Sequence, residues 1–197
     1  MTSTPVGPRA QLTRTRIERA AVSLFLRRGF EEVTVDDVVR AARVSPATFY
    51  RHFATKEEVV VSYGADYSRA LRAAADSVGP GVPRPQHLPR VLTAFAAWLE
   101  TRQEDLALQG ELVPGQPALV ERTLAVQQQL EAELAAVLAA LAGAREPDDA
   151  ATLAAAVGMA VLRVAVCSWQ AGSAPSVGAA LRRTLTRLPA LVPAEPC

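Results

Sequence analysis

Three helix-start signals crowd into residues 34–58, TVDDVVRAARVSPATFYRHFATKEE, so this stretch must fold as short helices joined by tight turns. Thr34 and Asp37 have the spacing of a capping box. Val35, Val38, Val39 and Ala42 then recur at i, i+3, i+4, i+7, the mark of one buried helical face. Arg43 breaks the pattern, and Val44 gives the turn one apolar anchor. Ser45 followed by Pro46 is a second start: the hydroxyl caps, and proline suits a first helical position whose N–H would be unpaired anyway. Phe49 and Phe53, four apart, give this short helix one inward side. Thr55 and Glu58 mark a third start.

Two short helices in this arrangement, the second presenting Thr48, Tyr50, Arg51 and His52 outward, form a helix-turn-helix. In that motif the second helix lies in the major groove of DNA. A helical hairpin that only packs is the plainer reading. The outward residues are hydrogen-bonding, cationic or aromatic, however, and no acid occurs from Pro46 to Thr55. That composition favours DNA.

Together with TRTRIERAAVSLFLRRGF upstream, VTVDDVVRAA and VSPATFYRHFATKEE resemble the N-terminal domain of the TetR/AcrR family of bacterial transcriptional regulators. The resemblance covers residues 13–58. It implies an all-α protein of about nine helices: a three-helix DNA-binding domain over 12–58, after an arm at 1–11, and a helical bundle for effector binding and dimerisation over 59–197. One departure stands out. The family usually has glycine where this chain has Arg43, and a left-handed non-glycine residue costs about 1 kcal/mol. The resemblance further implies a ligand-responsive homodimer, by default a repressor, released from a palindromic operator by a small apolar or amphipathic effector. In that picture Arg16, Tyr50, His52 and Lys56 contact phosphates while Thr48, Ala47 and Arg51 read bases, with Thr34, Arg43, Ser45 and Pro46 on the same surface. The pattern after residue 88 is similar to mycofactocin-regulator-like members that sense acyl-CoA esters. The alternative function is a helical ligand-binding adaptor that has lost specific DNA binding.

Composition agrees with helices throughout. Hydrophobic residues make up 50% of the chain, alanine dominates, and no alternating strand-like run occurs. Charge is informative by its distribution. Ten basic and five acidic residues lie at or before Lys56, so that part carries +5 and the remainder −4 within a net +1. A basic head on a mildly acidic body fits a nucleic-acid binder. The two cysteines, Cys167 and Cys197, imply no disulfide framework. No signal-peptide pattern opens the chain, and the apolar run 150–169 contains Arg163 among alanines, so a cytoplasmic protein without a membrane span is expected.

Further along, Ile17, Ala20, Ala21, Leu24 and Phe25 predict a helix over about 13–28 that Gly29 stops, with Phe30 folding back. A long helix is expected over 56–78, then helices over about 88–108, 118–142, 147–170 and 177–188. The 147–170 helix is apolar on nearly every side, so it must be covered on more than one face. The expected dimer contacts are Ala154, Gly158, Val161, Leu162, Ala165, Leu181 and Leu185. Effector-pocket candidates are Tyr67, Phe95, Trp98, Leu99, Leu134, Trp169 and Arg163. Arg163, expected to be buried, would pair with an acid such as Glu100 or Glu111, lie at the dimer rim, or bind a ligand. Metal-ligand spacing, nucleophile motifs and phosphate-cradling glycine loops are all lacking, so neither catalysis nor a cofactor or metal is expected.

Overall fold

The computed structural model describes residues 8–60 and 64–191, which form ten α-helices and one 3-10 turn, with no strand among them. The chain divides into two compact units, Met1–Ser62 with Glu111–Thr123, and Tyr63–Gly110 with Leu124–Cys197. The division expected at 58/59 thus falls at 62/63. The stretch 111–123 groups with the first unit, an association no local pattern announces.

In the first unit, α1 (Pro8–Arg28) packs on α2 (Val35–Ala42) and α4 (Lys56–Val60), and α2 packs on α3 (Pro46–His52). Helix α1 begins at Pro8, where proline is well tolerated in the first turn. Residues 8–11, assigned above to an arm, are therefore helical, and 1–7 lie outside the described residues. Ile17, Ala21 and Phe25 stack one turn apart in the core. Gly29 (φ 86°) ends the helix, and the Phe30 ring returns to 4.9 Å from that of Phe25. Val33, Val38, Val39, Ala42, Phe49, Phe53, Val59 and Val60 complete this core. Each large side chain buried here contributes about 1.5–3 kcal/mol.

In the second unit, α5 (Gly64–Asp76) packs on α6 (His87–Glu100), which in turn meets α9 (Asp149–Gln170) and α10 (Val177–Leu191); α9 also packs on α10. The helix expected over 88–108 is two, α6 and α7 (Gln103–Leu112), and α8 runs Pro117–Leu141. The helix expected over 56–78 appears as α4 and α5, with 61–63 outside the described residues. Asp148 caps α9 by accepting the Ala151 N–H at 2.7 Å, and both its oxygens take the Arg84 guanidinium, at 2.9 and 2.7 Å. Arg84 and the cap together hold this carboxyl below the usual carboxylate range.

Helix α9 is the one described helix long and apolar enough to cross a bilayer. One face nevertheless belongs to the unit's own core, through Ala151, Ala155, Gly158, Val161, Leu162 and Ala165. Those residues and Leu181 are buried within the single chain, and Ala154 and Leu185 pack partly against the same core. The buried members of the expected dimer set are thus core residues of the single chain, and small residues at four-residue spacing bring α9 close to its own neighbours, while Ala154 and Leu185 are only partly covered. A Cβ on Gly158 would stand 2.7 Å from Leu88 Cδ1 and 3.2 Å from Leu134 Cδ2. Gly158→Val should accordingly lower stability by about 1–3 kcal/mol through overpacking. In urea unfolding that loss should not vary with protein concentration; a concentration-dependent loss would return the residue to an intersubunit contact.

Candidate nucleic-acid interface

The turn between α2 and α3 is built from backbone hydrogen bonds. Thr34 and Asp37 close the capping box that starts α2: the Asp37 N–H donates to Thr34 Oγ1 at 3.2 Å and the Thr34 N–H to Asp37 Oδ2 at 3.1 Å. At the other end the Arg43 N–H donates to the Arg40 carbonyl at 3.2 Å and the Val44 N–H to the Val39 carbonyl at 3.0 Å. This is the paired pattern of a Schellman motif, which needs a left-handed residue after the helix. Arg43 supplies it at φ 51°, ψ 50°.

Ser45 then caps α3, accepting the Thr48 N–H at 3.1 Å, while the two hydroxyls lie 2.9 Å apart. Pro46 holds the first helical position as expected. Phe49 is buried and its ring meets that of Phe53 at 5.7 Å, which turns Ala47, Tyr50 and Arg51 outward. Tyr50 is 58% exposed although large, and its ring stands edge-on to Phe49 at 5.4 Å. The exposed side of α3 thus carries a hydroxyl, a phenol, a guanidinium and one small residue, with no carboxylate.

Several basic residues of this unit are engaged within it, and several are not. Arg14 lies 4.6 Å over the Phe53 ring and bonds Glu18 at 3.1 Å, and Arg28 and Arg40 both pair with Asp37, at 3.4 and 3.3 Å. The Thr34 cap and the Arg28 pair hold Asp37 below the usual carboxylate range. Arg16, Arg43 and Arg51 are exposed and join no ion pair among the described residues.

Three expected contacts are placed differently. Lys56 does not extend its ammonium outward: Nζ donates to the carbonyls of Phe30, Glu31 and Val33 at 2.9, 3.3 and 3.1 Å, and sits 4.5 Å over the Phe30 ring. An ammonium has three N–H donors, so all are engaged. His52 turns Nε2 inward, buried and without a hydrogen-bond partner. Burial, then Arg51 and Arg14, lower its pKa, which leaves a neutral ring at neutral pH rather than a cation for phosphate. The Thr34 hydroxyl is committed to Asp37. Partners of Lys56 lie 23–26 residues away on the backbone, where side-chain spacing gives no signal. The third helix start also differs in detail. The Glu58 N–H bonds Thr55 Oγ1 as expected, but the Glu58 carboxylate takes the Ala54 N–H, at 2.7 Å.

Of the pocket candidates, Tyr67, Phe95 and Trp98 form one aromatic cluster. The Phe95 and Trp98 rings stack at 5.8 Å, and Tyr67 stands edge-on to both. Burial pushes the Tyr67 phenol up to about 12. Leu99 and Leu134 are core residues, and Trp169 packs against the same core. Arg163 is exposed and in no ion pair among the described residues. Its expected burial is corrected, and Glu100 instead accepts the Gly178 N–H of α10 at 2.9 Å.

Comparison with known proteins agrees with this geometry. The family model for bacterial regulatory proteins of the tetR family matches residues 17–63. The HTH-type transcriptional regulator TcmR of Streptomyces glaucescens is 35% identical over 162 residues, 75% of this chain and 70% of that protein. Among solved structures, a chain from Syntrophomonas wolfei described as a TetR-family transcriptional regulator superposes with TM-score 0.71 at 12% identity, covering 94% of this chain and 97% of that one. FadR of Thermus thermophilus, a TetR-family transcriptional repressor solved in complex with lauroyl-CoA, gives TM-score 0.58 at 23% identity, covering 93% and 97%.

Lys56→Ala should cost about 1–3 kcal/mol of stability in urea unfolding, because three carbonyls lose a charged donor. The same variant, held under conditions where it is folded, should keep the parent's salt dependence of duplex binding. A slope reduced by about 0.9 per site would mark Lys56 as a phosphate ligand after all.

Proposed function

Because the chain belongs to the tetR family of bacterial regulatory proteins, we propose that this DNA-binding transcriptional regulator is a ligand-responsive repressor acting as a homodimer on a two-fold operator. Its relatives are regulators and not enzymes. The observation that carries the proposal is the outward face of α3, where Ala47, Thr48, Tyr50 and Arg51 offer hydrogen-bonding, apolar and cationic groups with no acid among them. Side chains of this kind read base edges in the major groove, and exposed arginines hold phosphates. In this reading Thr48, Ala47 and Arg51 face bases, Arg16 and Tyr50 face the backbone, and Ser45 and Pro46 orient the helix between them. The helical adaptor without DNA binding is the weaker reading, since it gives this surface no use.

The dimer reading rests on α9. Its outward stripe of Leu153, Ala160, Val164 and Cys167 is exposed in the single chain, with Leu153 at 66% and Val164 at 45%. Apolar side chains aligned opposite a buried face need a cover. A second copy across a two-fold axis supplies one and also pairs two recognition helices, which must sit about 34 Å apart to enter successive major grooves. Arg163 then falls at the rim. The effector would be small and apolar or amphipathic, in keeping with the aromatic and aliphatic interior around Tyr67, Phe95 and Trp98 and with the acyl-CoA bound by the Thermus thermophilus neighbour. Its differential affinity for two spacings of the DNA-binding heads would drive release. Such a regulator would work in the cytoplasm.

Selection of bound sequences from a random duplex pool at physiological salt tests the reading directly. The expected result is a near-palindromic motif with half-sites about one helical turn apart; sequence-blind binding would favour the adaptor. Replacing both Leu153 and Val164 by Glu should yield monomers in sedimentation and at least a tenfold weaker grip on that motif, about 1.4 kcal/mol or more. A double variant that still sediments as a dimer would remove α9 from the interface.

A further inference from the structure

We propose that Arg43 is a phosphate ligand whose backbone strain the helix-turn-helix retains for the sake of that contact, an assignment that rests on the DNA-binding reading above. Arg43 is the only non-glycine residue with positive φ among those described, at 51°; the other five positions of this kind are glycines 29, 81, 115, 143 and 172. The strain does not follow from the turn's own needs. Both hydrogen bonds that close the turn use backbone N–H groups, the Arg43 N–H to Arg40 and the Val44 N–H to Val39. Glycine would make both and reach this conformation freely.

Nor is the guanidinium used inside the fold. Asp37, the acid within reach of the α1 and α2 arginines, is shared by Arg28 and Arg40. Arg43 is exposed and pairs with no carboxylate among the described residues. It stands two residues before the Ser45 cap, at the mouth of the helix whose outward face carries the base-reading side chains. A cation there meets a duplex that carries one charge per about 1.7 Å of axis. The guanidinium fork is matched to phosphate geometry. Strained residues persist where function holds them, and here the only unspent property of the side chain is its charge. The contact would be to the backbone and carry no sequence information.

Three substitutions separate charge from strain. Arg43→Gly and Arg43→Asn remove the charge and suit a left-handed residue, whereas Arg43→Lys keeps the charge. Thermal unfolding and duplex affinity across a series of salt concentrations are measured for each and for the parent, on the sequence the parent selects. Arg43→Gly should raise the unfolding midpoint by about 2–4 °C. Both neutral variants should reduce the slope of log affinity against log salt by about 0.9 per half-site, with affinity lower by on the order of tenfold for the dimer. Arg43→Lys should keep the slope, and all variants should select the parent's motif. An unchanged slope in both neutral variants overturns the inference, as does a lowered midpoint for Arg43→Gly or a change of preference at one base position. A parent that binds no duplex overturns the regulator reading itself and this inference with it; a parent that binds, with variants that match its slope, overturns this inference alone.

Discussion

The DNA-binding unit is held together at one point by the ammonium of Lys56. Its three N–H donors meet the carbonyls of Phe30, Glu31 and Val33, and its charge lies over the Phe30 ring. These carbonyls belong to the connection between α1 and α2, while Lys56 opens α4. One side chain therefore ties the chain's entry into the helix-turn-helix to its exit. Backbone carbonyls in such a turn have no helix partner and would otherwise rely on water. Hydrogen bonds from a charged donor are about twice as strong as neutral ones. The Arg14 guanidinium over Phe53 repeats the device on the other side of the same unit, closing α1 against the end of α3.

Cations spent in this way cannot be spent on DNA, and that divides the arginines of the first unit. Arg14, Arg28 and Arg40 make contacts within the unit, while Arg16, Arg43 and Arg51 stand free of ion pairs among the described residues. The +5 charge of residues 1–56 therefore does not by itself count the cations that the duplex meets directly. Diffusional attraction depends on the whole charge. Contact and register depend on the free part alone.

Local signals in the sequence located most of this architecture, because the physics involved is local. Thr34 with Asp37, Ser45 with Pro46, and Gly29 with Phe30 act over three or four residues, and each stands where spacing places it. The Arg43 conformation was legible through the family resemblance, which puts glycine where this chain has Arg43. Lys56 was misread because its acceptors are carbonyls far back in the chain, invisible to any pattern of side chains. A lysine at a helix start looks like an anion site, since free N–H groups lie beside it. His52 was misread in a related way, since the position of a ring nitrogen depends on packing and not on spacing.

Helix α9 shows where periodicity fails in principle. A helix apolar all round announces that it needs two covers without saying which face takes which. Small residues at four-residue spacing suggested a partner helix, yet Gly158 is closed by Leu88 and Leu134 of the same chain. Close approach is what a small residue permits, and the nearest helices are the chain's own. The face left over carries the larger side chains, Leu153 and Val164, which no element of the same unit covers. Size alone does not assign the faces, since Val161 and Leu162 lie in the core beside glycine and alanine while Ala160 lies on the exposed stripe. An interface formed by association needs knobs that reach across it, whereas a core formed on folding can close down on a gap. The same helix can therefore serve both where projecting side chains such as Leu153 and Val164 remain on the exposed side.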